Sequence, residues 1–245
     1  MEFAATPNAI AAIDIGTNSV HMVVARVVSP ERFEVLTRHK EMVRLGSGVG
    51  DMVHLEADAV DRGVAALRRC QEIARGYDAE VWAVATSAVR EAANRDVFLR
   101  RAYDESGVSI NVISGVEEAR LIQLGILQAL PVYDKRLFMV DVGGGSTEVL
   151  FGQQGDVRYA RSLKLGSLRM SHRFFPGGVV EDDAVEECRQ FIRSRLAAAV
   201  HEAQGLVHDV AVASSGTAES IAVMALARRG DEVPSDMNGQ QLSRK

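Results

Sequence analysis

The stretch VDVGGGSTEV at residues 140–149 decides the fold, because it ends a predicted strand with three glycines in a row. Glycine packs no side chain and loses much conformational entropy when it is ordered, so strand interiors tolerate it poorly. Asp141 precedes the glycines and Glu148 follows them. This pattern indicates a turn at which the backbone itself must come close to another group.

A second version of the pattern opens the chain, in the stretch AIDIGTNSVHMVV at residues 12–24. Asp14 to Ser19 and Asp141 to Ser146 both read Asp, apolar, Gly, two further residues, Ser, and they lie 127 residues apart. Farther along, Val84–Ser87 resembles Val212–Ser215 at a separation of 128 residues. Two matches in the same order at nearly the same separation predict two homologous lobes, with the ligand site in the cleft between them.

Hydrophobic periodicity predicts the same order of elements in both halves of the chain. Strands are predicted near residues 9–16, 20–28, 33–43, 80–86, 109–113, 136–142, 147–152, 156–164 and 209–214. Helices are predicted near residues 55–75, 94–106, 116–130, 181–204 and 217–228. Because Pro131 interrupts the helical pattern, we place one lobe at residues 1–130 and the other at residues 131–245. The fold class is α/β.

The composition is that of an ordinary globular protein, with 47% apolar and 25% charged residues. No apolar run reaches the roughly 18 residues of a membrane span, and no signal peptide opens the chain. Cys70 and Cys188 lie in predicted helices without metal-like spacing, which favours reduced thiols in a cytoplasmic protein. The net charge of −5 argues against a nucleic-acid partner, so an anionic ligand would have to be small and held by local groups.

The two glycine-containing turns are candidate phosphate sites, because small residues let successive backbone N–H groups converge on one anion. The candidate residues are Gly16, Thr17, Asn18 and Ser19 in the first turn, and Gly143, Gly144, Gly145, Ser146 and Thr147 in the second. Asp14 and Asp141, at the ends of the preceding strands, are candidate ligands of Mg²⁺, directly or through water. The alternative is a pair of hairpins whose glycines only permit positive φ angles.

Other phosphate-binding patterns are missing or incomplete. The sequence contains no GxxxxGK[ST] motif, which excludes a P-loop protein. The stretch RLGSGVGD at residues 44–51 lacks the spacing of a dinucleotide fingerprint, and we interpret Gly46, Gly48 and Gly50 as a loop at the rim of the cleft. Trp82 lies in an apolar strand and is predicted to be core, whereas HRFFPGG at residues 172–178 is predicted to be a loop.

Four motifs, DIGTNSVH, ATSAVREAAN, ISGVEEARL and DVGGGSTE, occur in this order and resemble those of the exopolyphosphatase/guanosine pentaphosphate phosphohydrolase (Ppx–GppA) family. The resemblance covers nearly the whole chain. It implies two ribonuclease-H-like lobes of the actin-like ATPase superfold around a cleft, and hydrolysis of a terminal phosphoanhydride. Members of the family continue where this chain ends, so the second lobe is expected to be truncated, with a sheet edge that a homodimer could cover.

The resemblance also assigns roles to acidic residues. In ISGVEEARL the family's proposed general base is the second acid, here Glu118. The residue types alone do not prefer either Glu117 or Glu118, since both would favour the N-terminus of a helix. The resemblance makes Glu148 a second acid that positions the attacking water or a metal, together with Asp14 and Asp141.

Arg90, in SAVRE, lies where a helix begins after a strand, and its guanidinium could bind a phosphate in two-pronged fashion. The alternative for Arg90 is an ion pair with Glu91 or Asp96. Ser215, Gly216 and Thr217 begin the equivalent helix of the second half. A helix N-terminus of this composition suits an anion, although simple capping explains it equally well.

Together the motifs predict a Mg²⁺-dependent phosphohydrolase that releases orthophosphate from inorganic polyphosphate or guanosine pentaphosphate. Two alternatives stay open at this point. One is a non-catalytic protein that binds polyphosphate or a nucleotide, and the other is an ATPase or kinase of the same superfold. The acidic residues favour the enzyme, since a pure binding protein needs no general base.

Overall fold

The computed structural model describes residues 9–29, 32–46 and 53–242. The chain divides into two compact units, Met1–Ser114 and Gly115–Lys245, here called the first and second unit. Each contains one mixed β-sheet with helices packed on it. Among the described residues, no helix is both long enough and apolar enough to span a bilayer.

The first unit is built on a five-stranded sheet with the strand order β3-β2-β1-β4-β5. Its elements are β1 (Ala9–Ile15), β2 (Ser19–Ser29), β3 (Arg32–Met42), α1 (Ala57–Gly76), β4 (Ala79–Ala85), α2 (Ser87–Glu91), α3 (Arg95–Ser106) and β5 (Ile110–Val112). Strands β1, β2 and β3 form an antiparallel meander, whereas β4 runs parallel to β1 and β5 runs parallel to β4.

The core of the first unit lies on one face of this sheet, because alternate residues of a strand point to opposite faces. Ile13 and Met22 point to this face and are buried with Leu67 of α1. Asp14 and Trp82 point to the other face, where Trp82 is 62% exposed. The prediction that Trp82 is a core residue is therefore wrong: its neighbours Val81 and Ala83 share its apolar character, so the strand shows no alternation that assigns Trp82 to a face.

The second unit is built on a four-stranded sheet with the strand order β8-β7-β6-β9. Its elements are α4 (Gly115–Ala129), β6 (Leu137–Val142), β7 (Thr147–Gln153), β8 (Asp156–Leu163), α5 (Ser167–Phe174), α6 (Asp182–Glu202), β9 (Val210–Ser214) and α7 (Ser215–Arg229). Strands β6, β7 and β8 form an antiparallel meander, and β9 runs parallel to β6. The two sheets thus repeat the same strand order, and the first adds β5.

Helix α4 packs against β7 and β8, with Ala119 and Ile126 in one core with Leu150. The sequence placed this helix at the end of the first lobe, but its apolar face covers the second sheet. The predicted loop at residues 172–178 is also partly wrong. Its first three residues belong to α5, and only Pro176–Gly178 forms a separate 3₁₀ turn.

Candidate functional site

One row of four side chains crosses the second sheet at the end where the glycines lie. Ser162 of β8 is paired with Glu148 of β7, Glu148 with Asp141 of β6, and Asp141 with Ser214 of β9. Residues directly opposite each other in a sheet share a face, so these four side chains are neighbours. We call this set the acidic row. It places Asp141 and Glu148, two of the candidate carboxylates of this unit, side by side.

Both carboxylates of the acidic row are buried. Glu148 is fully buried, and its Oε1 atom accepts a hydrogen bond of 2.7 Å from the Ser162 hydroxyl. Burial raises the pKa of the Asp141 carboxyl above its ordinary value, while a hydrogen bond from Ser214 acts in the opposite direction. Two adjacent carboxylates repel each other when both are ionised, so the row favours a proton or a cation between them.

The residues between β6 and β7, Gly143–Ser146, form the second turn, which is closed by a hydrogen bond from the Gly143 N–H to the Ser146 carbonyl (3.0 Å). The carbonyl oxygens of its three glycines accept hydrogen bonds from the start of α5. These bonds run from Ser167 N–H to Gly143 (2.9 Å), from Leu168 and Arg169 N–H to Gly144 (3.0 and 3.2 Å), and from Gly166 N–H to Gly145 (3.3 Å). The N-terminus of α5 therefore fixes the turn through hydrogen bonds to its carbonyl groups.

The orientation of these carbonyls fixes the orientation of the following amides. In a planar trans peptide the C=O and the next N–H point in opposite directions, and the described chain contains no cis peptide. The N–H groups of Gly144, Gly145 and Ser146 therefore point away from α5, on the side where an anion could accept hydrogen bonds from them. None of the glycines at positions 16, 143, 144 and 145 has a positive φ, so the alternative of glycines that merely permit such angles is wrong.

Two residues that the sequence reasoning missed hold the second turn in place. A Cβ added at Gly166 would overlap the carbonyl group of Gly144 and the backbone of Gly145, so only glycine fits there. Arg169 is 4% exposed, and its Nε donates to the Gly145 carbonyl (2.9 Å). The sequence did contain a signal: KLGS at residues 164–167 repeats RLGS at residues 44–47, and both follow the third strand of their meander.

Two of the predicted helix-start residues, Ser215 and Thr217, contact residues next to the second turn. The Ser215 hydroxyl donates to the Val142 carbonyl (2.7 Å), and Thr217 Oγ1 lies 3.4 Å from Ser167 Oγ. Ser215 has a φ of 87°, a strained value for a residue with a side chain. Gly216 has open space where a Cβ would be. The structure therefore brings the N-terminus of α7 to the same turn as the acidic row.

Glu118 lies in the first turn of α4, and this end of the helix rests on the acidic row. A Cβ added at Gly115, the first residue of α4, would overlap the side chain of Ser162. Glu117, the other acid of this turn, is bound by Arg120. Both carboxylate oxygens of Glu117 accept hydrogen bonds from Arg120 (2.8 and 2.7 Å), and this pair holds the Glu117 pKa below its ordinary value.

The first turn, Gly16–Ser19, has the same construction in the first unit. The Gly16 N–H donates to the Ser19 carbonyl (3.0 Å), as in the second turn. The Asn18 carbonyl accepts from the N–H groups of Val43 and Arg44 (3.0 and 2.8 Å), and the Thr17 carbonyl accepts from Gly46 (3.0 Å). The RLG segment after β3 thus holds the first turn as the KLG segment holds the second. Gly46 is part of this support, and Gly48 and Gly50 lie outside the described residues.

The remaining predicted residues of the first unit lie at the same end of the sheet. Asp14 is exposed and stands opposite His21 of β2. Burial, together with the positive charge of Lys40, lowers the pKa of His21. Arg90 lies in α2, where its Nη1 donates to the Ile113 carbonyl after β5 (3.0 Å). The guanidinium is therefore anchored to the backbone at the end of the sheet.

The donor set of the acidic row suits a Mg²⁺ ion. Within the described ranges no three acidic, histidine or cysteine side chains cluster as metal ligands. Asp141 and Glu148 could supply one or two carboxylate oxygens to Mg²⁺, an ion that usually takes its remaining ligands from water and phosphate oxygens. Asp14 stays a predicted ligand in the first unit.

A profile of the Ppx/GppA phosphatase family matches residues 23–242. The chain belongs to this family. A putative exopolyphosphatase from Haemophilus influenzae is 35% identical over 214 residues, which are 87% of this chain and 66% of that protein. A guanosine-5'-triphosphate,3'-diphosphate pyrophosphatase from Photobacterium profundum is 34% identical over 224 residues, which are 91% of this chain and 45% of that protein. The chain thus spans less than two thirds of the length of either curated relative.

A solved member with a similar fold is an exopolyphosphatase from Cytophaga hutchinsonii, with a TM-score of 0.85 and 27% sequence identity. The alignment covers 94% of this chain and 74% of that one. The predicted α/β fold of the actin-like class, with two sheets, is thereby confirmed. The family membership predicted from the four Ppx/GppA motifs is confirmed as well.

Proposed function

We propose that this chain is a Mg²⁺-dependent phosphohydrolase that removes the terminal phosphate of inorganic polyphosphate or guanosine pentaphosphate. The observation that carries the proposal is the second turn, whose amides point away from α5 at the end of a buried pair of carboxylates. The names of its Ppx/GppA relatives, an exopolyphosphatase and a guanosine pentaphosphate pyrophosphatase, support the same class of substrate. Both substrates end in the same phosphoanhydride.

The second turn would bind the oxygens of the terminal phosphate. The N–H groups of Gly144, Gly145 and Ser146 supply donors that are fixed before the ligand arrives, so no reorganisation is needed during the reaction. The buried guanidinium of Arg169 adds positive charge behind the turn. Asp141 and Glu148 would hold Mg²⁺, which when bound neutralises charge on the phosphoryl oxygens.

Glu118 would act as the general base. Its carboxylate takes a proton from a water molecule while the water oxygen forms a bond to the terminal phosphorus. The bridging P–O bond breaks, orthophosphate leaves, and the shortened substrate keeps the bridging oxygen. The assignment to Glu118 follows the family resemblance. The two hydrogen bonds from Arg120 hold Glu117 in an ion pair and lower its pKa, which makes Glu117 a weak base.

Orthophosphate release by the purified protein tests this function. Polyphosphate, guanosine pentaphosphate and ATP are offered in parallel, with Mg²⁺ and with EDTA. We expect Mg²⁺-dependent release from at least one of the first two and little release from ATP. Release from ATP alone would favour an ATPase of the same fold, and no release from any of the three by folded protein would contradict the proposal.

A further inference from the structure

The internal repeat places a different set of side chains in the first unit at the position of the acidic row. His21 precedes Glu148 by the same 127 residues that separate Asp14 from Asp141. The sheet register of the first unit pairs Asp14 with His21 and His21 with Lys40 of β3. The first sheet therefore carries an acid, a histidine and a lysine where the second carries two acids and a serine.

His21 is connected directly to the first turn. Its Nε2 lies 2.8 Å from the hydroxyl oxygen of Ser19, the residue that corresponds to Ser146 in the second turn. A serine hydroxyl can accept one hydrogen bond and donate another. When His21 Nε2–H donates to Ser19 Oγ, the hydroxyl proton of Ser19 is directed to a further acceptor. A phosphate oxygen at the turn would be such an acceptor.

Lys40 brings a positive charge to the same face of the sheet. It is exposed, and no described carboxylate forms an ion pair with it. Its neighbour Glu41 points to the opposite face, where it binds Arg69 of α1. Lys40 is close enough to His21 for its charge to lower the histidine pKa. The ammonium group is therefore available beside the first turn.

We propose that Lys40 and the Ser19 hydroxyl, the latter oriented by His21, bind an oxyanion of a phosphoanhydride chain in the first unit. Asp14 disfavours an anion on its own side of His21, so the anion is expected on the Lys40 side. The inference rests on the proposed function only for the identity of the ligand.

Tripolyphosphate binding, measured by calorimetry in EDTA at low salt, tests the inference without turnover. We expect Lys40→Met to raise the dissociation constant about tenfold, which is at the low end for the loss of a charge-assisted hydrogen bond. Lys40→Arg should retain most of the affinity. Arg38→Met is the matched control, because Arg38 is an exposed cation on the same face about 7 Å farther from the turn. Equal dissociation constants for Lys40→Met and Arg38→Met would overturn the inference.

The role of His21 is tested by a double-mutant cycle with Ser19. His21→Phe should raise the dissociation constant severalfold, and Ser19→Ala should add little to it, because both substitutions remove the same oriented hydroxyl. Fully additive effects of the two substitutions would contradict a positioning role for His21. The Tm of each variant is measured alongside, to confirm that the affinities belong to folded protein.

These outcomes separate the inference from the proposed function. If the wild-type protein releases no orthophosphate but Lys40→Met still weakens tripolyphosphate binding, the inference stands and the hydrolase proposal falls. If the wild-type protein releases orthophosphate and Lys40→Met binds as the wild type does, the inference falls alone. Absence of tripolyphosphate binding by the wild-type protein would also overturn the inference.

Discussion

Asp141 and Glu148 lie directly opposite each other on β6 and β7, so that two carboxylates occupy neighbouring buried positions in one sheet. Such a pair does not stabilise the fold, because burial and mutual repulsion both raise the free energy of the ionised carboxylates. The pair stands immediately beside a turn whose amides point away from the supporting helix α5. This arrangement is expected of a site that binds a cation and a phosphate together.

Removing the charge of Asp141 should stabilise the metal-free protein at neutral pH. Burial raises the folded-state pKa of Asp141 above its unfolded value of 3.8, so folding disfavours the ionised form. This cost is absent below the unfolded pKa and is complete once the pH exceeds the folded pKa. In EDTA, Asp141→Asn should therefore raise the Tm at about pH 8 and change it little at about pH 4.

The complementary measurement is the Tm in the presence of Mg²⁺. Addition of Mg²⁺ should raise the Tm of the wild-type protein by binding the folded state, and should raise that of Asp141→Asn much less. A variant that is less stable than the wild type by the same margin at both pH values would show that Asp141 is a structural hydrogen-bonding residue and not a strained metal ligand.

Gly166→Ala should destroy the second turn, because a methyl group at this position overlaps the backbone of Gly144 and Gly145. We expect a loss of orthophosphate release and a lower free energy of unfolding, by about 1–3 kcal/mol as for other overpacked positions. The control is Gly125→Ala in α4, where a Cβ has no neighbour within 4 Å and alanine favours the helix. Normal activity in Gly166→Ala would show that the turn tolerates displacement.

Ser162→Ala should lower the rate of orthophosphate release about tenfold, because Glu148 loses a hydrogen bond to its buried carboxylate, worth about 1–3 kcal/mol. The Mg²⁺ concentration at half-maximal rate should rise as well, since the carboxylate is less well oriented. Ser194→Ala, which removes an exposed hydroxyl from α6, is the matched control. Unchanged Mg²⁺ dependence in Ser162→Ala would place Glu148 outside the metal site.

The strands and most helices could be predicted from the sequence because their signals are local. The alternation of apolar and polar residues in β1, and the recurrence of the Asp14 pattern at Asp141, predicted both meanders. The predicted strand bounds lie within one or two residues of the observed ones. The packing of α4 could not be predicted, because the helix follows β5 in the chain but its apolar face covers β7 and β8.

The support of the turns was missed for a different reason. Gly166 and Arg169 act through the backbone of the second turn, and no side-chain chemistry in the sequence points to them. The recurrence of Leu-Gly-Ser after each third strand could have identified Gly166, but no repeat marks Arg169. The ion pair between Glu117 and Arg120 was not predicted from the sequence either.

The most direct test of the account compares Glu118→Gln with Glu117→Gln in the orthophosphate-release assay, with circular dichroism to confirm folding. We expect Glu118→Gln to lose about a hundredfold in rate, as for a missing general base, and Glu117→Gln to keep most of the wild-type rate. Activity that survives in Glu118→Gln and disappears in Glu117→Gln would contradict the assignment of the base and, with it, the proposed catalytic arrangement.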